Sequence, residues 1–143
     1  MKAWDVARSS AETMWAGDAA SRALGMEVVH VGPGSAAVSM LVRPDMINGW
    51  DVCHGGLIAA LADSAFALAC NSHGEATVAA GFDVSFLEPA RLGDTLVATA
   101  GERSTRGRNG IYDVTVNRTS GTGSSMIAEF RGRSRSLGRP IAD

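Results

Sequence analysis

Leu57-Ile58-Ala59-Ala60-Leu61-Ala62-Asp63-Ser64-Ala65-Phe66-Ala67-Leu68-Ala69-Cys70 is the stretch on which the fold turns. It holds no glycine and no proline, and Asp63 and Ser64 are its only polar residues. Alanine and leucine dominate it, so a long helix is expected over residues 54–72, opened by Gly55-Gly56 and closed near Gly74. The segment is apolar on every face. Such a helix is expected to be buried on all sides, here by a sheet wrapped around it. Asp63 is then an oddity, because even an uncompensated neutral polar group costs ~1–3 kcal/mol when buried. It could pair with a buried arginine or cap a helix, yet no arginine lies in the segment and position 63 is too far in for a cap. Carboxylates in such settings gather at functional sites.

Outward from this helix, the chain reads as strands and turns. Residues 4–24 are expected to be helical, with Trp4, Ala7, Ala11, Met14 and Trp15 near helical spacing and a break at Gly17-Asp18. Residues 26–31 and 36–42 read as a strand pair around the breakers Gly32-Pro33-Gly34. Residues 45–53 read as loop. After the helix, Val78, Ala80, Phe82, Val84 and Phe86 alternate with period two, which predicts one strand ended by Pro89. Residues 94–105 and 111–118 follow as strands joined at Asn109-Gly110, a two-residue hairpin signal. Gly121-Thr122-Gly123 is expected to turn again into a last strand over 126–137. The plan is α+β: one antiparallel sheet with one dominant helix, in a single domain over residues 1–143.

Composition narrows the function. The chain has 45% apolar and 20% charged residues and a formal net charge of −2, which does not suit a nucleic-acid binder. Cys53 and Cys70 lack a CxxC spacing and the three histidines do not cluster, so no metal is expected. Residues 1–5 carry charge and no apolar run, and the longest apolar stretch is too short for a membrane span of ~20 residues. A cytoplasmic protein with reduced thiols, not attached to a membrane, is the expectation.

The entrance to the long helix is the second chemical clue. Cys53-His54-Gly55-Gly56 presents backbone N–H groups at the positive end of the helix dipole, unshielded by Cβ atoms at the glycines. Such groups can polarise a carbonyl, though a Gly-Gly pair serves a plain loop-to-helix turn equally well. Gly55 and Asp63 are eight residues apart, about 12 Å along a helix at ~1.5 Å per residue. One carbonyl cannot touch both within a single chain. If both act on one substrate, they come from different subunits of a dimer.

Residues 48–56, Asn48-Gly49-Trp50-Asp51-Val52-Cys53-His54-Gly55-Gly56, together with Leu61-Ala62-Asp63-Ser64-Ala65-Phe66-Ala67-Leu68-Ala69-Cys70-Asn71-Ser72, closely resemble the PaaI-type phenylacetic-acid-degradation thioesterases. Residues 83–89, 93–96, 110–114 and 130–132 continue the likeness, which runs from about Lys2 to Gly138. The resemblance implies a hotdog fold, a homodimer assembling to a homotetramer, and hydrolysis of acyl-CoA thioesters, with phenylacetyl and hydroxyphenylacetyl groups favoured. It implies Asp63 as general base or nucleophile, the Gly55 N–H of the facing subunit on the thioester carbonyl, and His54 near the thioester. Asn48, Ser64 and Gly56 are implied to bind substrate. No cofactor is implied, since CoA arrives with the substrate. The chain departs from the family pattern at Gly17, where an asparagine is common, and at Glu88, where a basic residue is common. A hotdog enoyl-CoA hydratase or dehydratase, pairing His54 with a carboxylate, and a non-catalytic acyl-CoA binding module are the rival readings.

Other features carry less. Arg131, Arg133 and Arg135 alternate along one strand and so share one side, either as an anion grip or as a solvated sheet face. His30 and His73 are expected at the surface. Phe82, Phe86 and Phe130 are expected in the core.

Overall fold

The computed structural model describes residues 1–120 and 123–141. Two helices open it: α1 (Ala3–Ala16), which buries Ala7, Ser10 and Ala11, and α2 (Ala19–Ala23). The expected break between them is real. The Gly17 N–H closes α1 on the Met14 carbonyl, and Asp18 caps α2 by accepting from the Ser21 N–H. Strands β1 (Glu27–Gly32) and β2 (Ser35–Leu41) form a hairpin, followed by a 3₁₀ turn (Pro44–Met46) and the long helix α3 (Gly55–Cys70). Four further strands complete the chain: β3 (Glu75–Phe86), β4 (Thr95–Arg106), β5 (Asn109–Ser120) and β6 (Gly123–Pro140).

All strands belong to one antiparallel sheet in the order β1-β2-β4-β5-β6-β3. The chain leaves β2 near one edge and re-enters as β3 at the other, so α3 must cross the sheet to connect them. This is the hotdog arrangement, with the helix lying in the concave face. Alternation places Ala36, Val38 and Met40 of β2, Leu96, Ala98 and Ala100 of β4, and Tyr112, Val114 and Val116 of β5 against it, all nearly inaccessible. Among the described residues, no helix is long and apolar enough to cross a membrane.

The burial of α3 is less complete than its composition suggests. Ile58, Leu61, Ala62, Ala65, Phe66, Leu68, Ala69 and Cys70 are buried, but Gly56, Ala59, Ala60, Asp63, Ser64 and Ala67 form a strip that one chain leaves partly open. On the sheet side, Phe66 packs among Tyr112 and Phe130, and a Cβ on Gly132 would sit 2.7 Å from its ring. Only glycine lets the helix settle this deep.

Three expectations need correction. Phe130 is core, but Phe82 and Phe86 are 40% and 50% exposed, because β3 is an edge strand with nothing beyond it. Phe82 stacks on Phe130 at 4.6 Å between ring centroids and leaves its other side bare. Nor do Val78 and Phe82 share a face: the register shifts between Ala79 and Gly81, so Val78 opposes Arg135 and Phe82 opposes Gly132. The β4–β5 turn is Gly107-Arg108 rather than Asn109-Gly110, since Arg106 pairs with Asn109. Gly107 takes φ +58, the glycine-first order of a II′ turn, while a Cβ on Gly110 would lie 2.5 Å from Ser134 Oγ. The turn expected at Gly121-Thr122-Gly123 falls partly on residues 121–122, outside the described residues.

The Phe66–Gly132 contact is directly testable. A Gly132→Ala methyl must push the Phe66 ring outward, and overpacking of this kind costs ~1–3 kcal/mol. Denaturant unfolding is expected to show that loss; a change within experimental error would mean that α3 has room to rise.

Candidate active site

The N-terminus of α3 opens on a cleft of about 330 Å³ lined by Asn48, Val52, Cys53, Gly55, Ile58 and the segment 86–90. The loop before the helix is pinned from three sides. The His54 N–H donates to the Met46 carbonyl, the Cys53 N–H donates to the Ala90 carbonyl, and Asn48 Oδ1 accepts from the N–H groups of Trp50 and Val52. Asn48 thus folds its own loop through its oxygen and keeps its amide nitrogen free of any described partner. Helix hydrogen bonding begins at Leu57, whose N–H reaches the His54 carbonyl, and no described bond uses the N–H of Gly55 or Gly56. Phe86 covers Gly55 so closely that a Cβ there would lie 2.9 Å from its ring. The absence of a side chain at 55 is therefore a packing requirement as well as an opening for the N–H.

Asp63 lies elsewhere. Eight residues of helix make about 800° of turn, so it stands about 80° around the axis from Gly55 and about 12 Å along it. It lines a second cavity, of about 200 Å³, with Asp18, Ala20, Ser21, Leu24, Met26, Ala60, Ser64 and Ala67. Among the described residues Asp63 has neither an ion-pair nor a hydrogen-bond partner, which disposes of the buried-arginine alternative. Burial pushes its carboxyl above the usual carboxylate range, and the negative charge of Asp18 adds to the rise. Ser64 Oγ lies 2.7 Å from Ser21 Oγ, and the Ser21 hydroxyl in turn donates to Asp18 at 2.7 Å.

The six residues singled out from the sequence thus sort into two places. Asn48 and Gly55 share the first cleft, and Asp63 and Ser64 share the second. His54 and Gly56 are exposed at the helix entrance and line neither. Asp18 and Ser21 were not anticipated. Their spacing, Asp-x-x-Ser before a short helix, is a capping signal legible in the sequence, but which side of α3 that cap faces is settled only by packing.

Charged groups near the first cleft hold structure. Glu88, standing where a basic residue is common in the family, accepts from Arg118 at 3.1 Å, and Arg118 also reaches the Pro89 carbonyl, Asp94 and Ser125. Arg131, Arg133 and Arg135 share the outer sheet face as expected and are engaged there by Asp113, Asp83 and Asn109. Those partners favour the solvated-face reading. His30 and His73 are exposed, His73 meeting Glu102 at 2.7 Å. The thiols offer no nucleophile: burial raises Cys53 and pushes Cys70 up to about 12, so both stay protonated near neutrality. No three His, Cys, Asp or Glu side chains among the described residues gather to hold a metal ion.

Residues 51–125 match the thioesterase superfamily. The acyl-coenzyme A thioesterase PaaI of Escherichia coli K12 is 43% identical over 141 residues, covering 98% of this chain and 95% of that protein. The solved E. coli PaaI protein from the phenylacetic acid degradation operon superposes with a TM-score of 0.92 at 39% identity, over 97% of this chain and 99% of that one. A variant of the phenylacetic acid degradation protein PaaI of Thermus thermophilus matches with a TM-score of 0.76 at 36% identity, over 82% of this chain and 97% of its own.

The raised Asp63 carboxyl has a consequence for stability. A group whose pKa is higher folded than unfolded contributes stability below the unfolded value and loses it as pH rises through the folded one. At neutral pH the ionised Asp63 therefore weakens the fold. Asp63→Asn is expected to raise the melting temperature at pH 7, and the gain should vanish below about pH 3, under the ~3.9 of an unperturbed aspartate. Equal or lower stability of the variant at pH 7 would show that the native carboxylate is better solvated or better partnered than its surroundings indicate.

Proposed function

Because this chain belongs to the thioesterase superfamily and is an acyl-CoA thioesterase, we propose that it releases phenylacetyl or hydroxyphenylacetyl groups from CoA, with Asp63 as the base that activates water. The observation that carries this reading is Asp63 itself: a carboxylate without a described partner, raised in pKa, in a small cavity that Leu24, Met26, Ala60 and Ala67 line beside the polar Asp18, Ser21 and Ser64. A general base works best with a pKa near the working pH, and burial moves Asp63 in that direction.

The reaction asks little of the protein. Water oxygen bonds to the thioester carbon as Asp63 takes one of its protons, and the carbonyl oxygen gathers negative charge. Collapse then breaks the C–S bond, and the proton held by Asp63 goes to the departing CoA sulfur. The charged oxygen needs a donor, and the free Gly55 N–H is the one at hand, strengthened by the α3 dipole. The two stand too far apart in one chain, so Gly55 comes from a second copy and the site lies between subunits.

Two exposed features support such a pairing. The partly open strip of α3 that bears Asp63 is composed of small and apolar residues, and β3 presents an unpaired edge with Phe82 and Phe86 half-bare. Both are surfaces that another copy would cover. The proposal extends to a tetramer of two dimers, with Asn48, His54, Gly56 and Ser64 around the bound ester. It places the enzyme in the cytoplasm, where the free thiols Cys53 and Cys70 persist. No metal or resident cofactor takes part.

Asp63→Asn is expected to fold and to lose at least ~10²-fold in kcat/KM toward phenylacetyl-CoA. Turnover close to wild type would remove Asp63 from the chemistry. Subunit sharing is tested by mixing. Asp63→Ala and Gly55→Pro chains should each be nearly inactive, yet a random mixture should regain about a quarter of wild-type activity, one working site in each mixed dimer. Proven heterodimers without recovered thiol release would place both groups of a working site on one chain.

A further inference from the structure

Ser21 lies on α2 in the wall of the Asp63 cavity, where it is buried and hydrogen-bonded on both sides. Its N–H donates to Asp18 Oδ1 at 2.9 Å and its hydroxyl donates to Asp18 Oδ2 at 2.7 Å. Its oxygen also lies 2.7 Å from Ser64 Oγ. A hydroxyl has one proton, and an ionised carboxylate has none to give. The Ser21 proton is spent on Asp18, so Ser64 must be the donor to Ser21. Its proton therefore points toward α2, and the remaining lone pairs of Ser64 Oγ are left for the cavity it shares with Asp63.

We propose that Asp18 and Ser21 are positioning residues for hydrolysis: they lock the Ser64 hydroxyl as an acceptor facing the Asp63 cavity, so that the attacking water is held by two acceptors. The inference rests on the reading of Asp63 as the base. With one O–H directed to Asp63 and the other to Ser64, the lone pair of the water is the part left to meet the thioester carbon. The O–H toward Asp63 breaks as the new C–O bond forms. The other stays intact, steadied by Ser64, while the C–S bond cleaves and Asp63 passes its proton to the departing sulfur. Asp18 and Ser21 thus belong to the active site although neither touches the reacting atoms.

Five variants of the full chain test the idea in thioester hydrolysis of phenylacetyl-CoA, measured on the pH plateau. Asp18→Asn keeps an oxygen for the Ser21 N–H, so the cap of α2 survives. Its NH₂ replaces the acceptor of the Ser21 proton, which reverses the relay and turns the Ser64 proton into the cavity. Ser21→Ala and Asp18→Asn are expected to lower kcat about tenfold, the rate equivalent of one hydrogen bond, with KM within about twofold. Ser21→Thr should retain most activity, and Ser21→Ala should add nothing to a Ser64→Ala background. Wild-type kcat in both Ser21→Ala and Asp18→Asn overturns the relay, as do losses at 21 and 64 that multiply, or a defect confined to KM. If Ser21→Ala does not fold, Asp18→Asn set against Ser21→Thr decides the matter alone. An active Asp63→Asn enzyme would instead bring down the underlying assignment of the base, an outcome separate from failure of the relay.

Discussion

The ring of Phe66 rests on the backbone of Gly132 at a distance no side chain at 132 would allow, and this contact sets how deep α3 lies in the sheet. Everything that matters for chemistry follows from that depth. At the helix entrance, Gly55 sits under Phe86, so the start of α3 is held against the β3 edge with its first N–H groups open. With the sheet side occupied, one strip of α3 remains for Asp63 and Ser64, and α2 approaches that strip. A helix packed higher would open both clefts to water and lose the low-dielectric surroundings that raise Asp63.

Much of this was legible in the residues because it depends on local signals. An uninterrupted Ala/Leu segment, a Gly-Asp break and a Gly-Pro-Gly turn announce α3, the α1–α2 junction and the β1–β2 hairpin without tertiary help. The misreadings have tertiary causes. Period two reports which side of a strand a residue takes, but not whether another strand lies beyond it, so Phe82 and Phe86 were expected inside although β3 ends the sheet. The bulge between Ala79 and Gly81 also breaks a phase that the sequence presents as continuous. At the β4–β5 hairpin two glycines stand close together. Gly107 supplies the positive φ of the turn, and Gly110 supplies room beside Ser134, a contact that exists only once β6 is in place.

The candidate site was legible to the same depth. An ionisable residue in an apolar helix and a bare Gly-Gly at its entrance are features of one segment, and Asp63 and Gly55 both lie on clefts. What the segment could not reveal is its company. Asp18 reads in the sequence as a breaker, and its capping of α2 confirms that role, yet the same cap brings a second negative charge and the Ser21 hydroxyl to the Asp63 cavity. Glu88 shows the converse. An acidic residue where the family commonly has a basic one reads as a simple departure, but its carboxylate braces Arg118 against the segment that walls the Gly55 cleft.

A thioester is electrophilic enough that its hydrolysis needs an oriented water, a proton acceptor and a donor for the charged oxygen, and the chain offers little beyond those. Its two cysteines are held as thiols by burial, and the proposed reaction relies on a carboxylate instead. A carboxylate, however, gains basicity only where water is scarce, and a single copy leaves the Asp63 strip partly open. The requirement for dryness and the requirement for a distant N–H therefore point to the same remedy. In the proposed assembly, covering the strip with a second chain excludes solvent from Asp63 and delivers Gly55 in one event, so a carboxylate that weakens the isolated fold becomes useful only where the fold is paired.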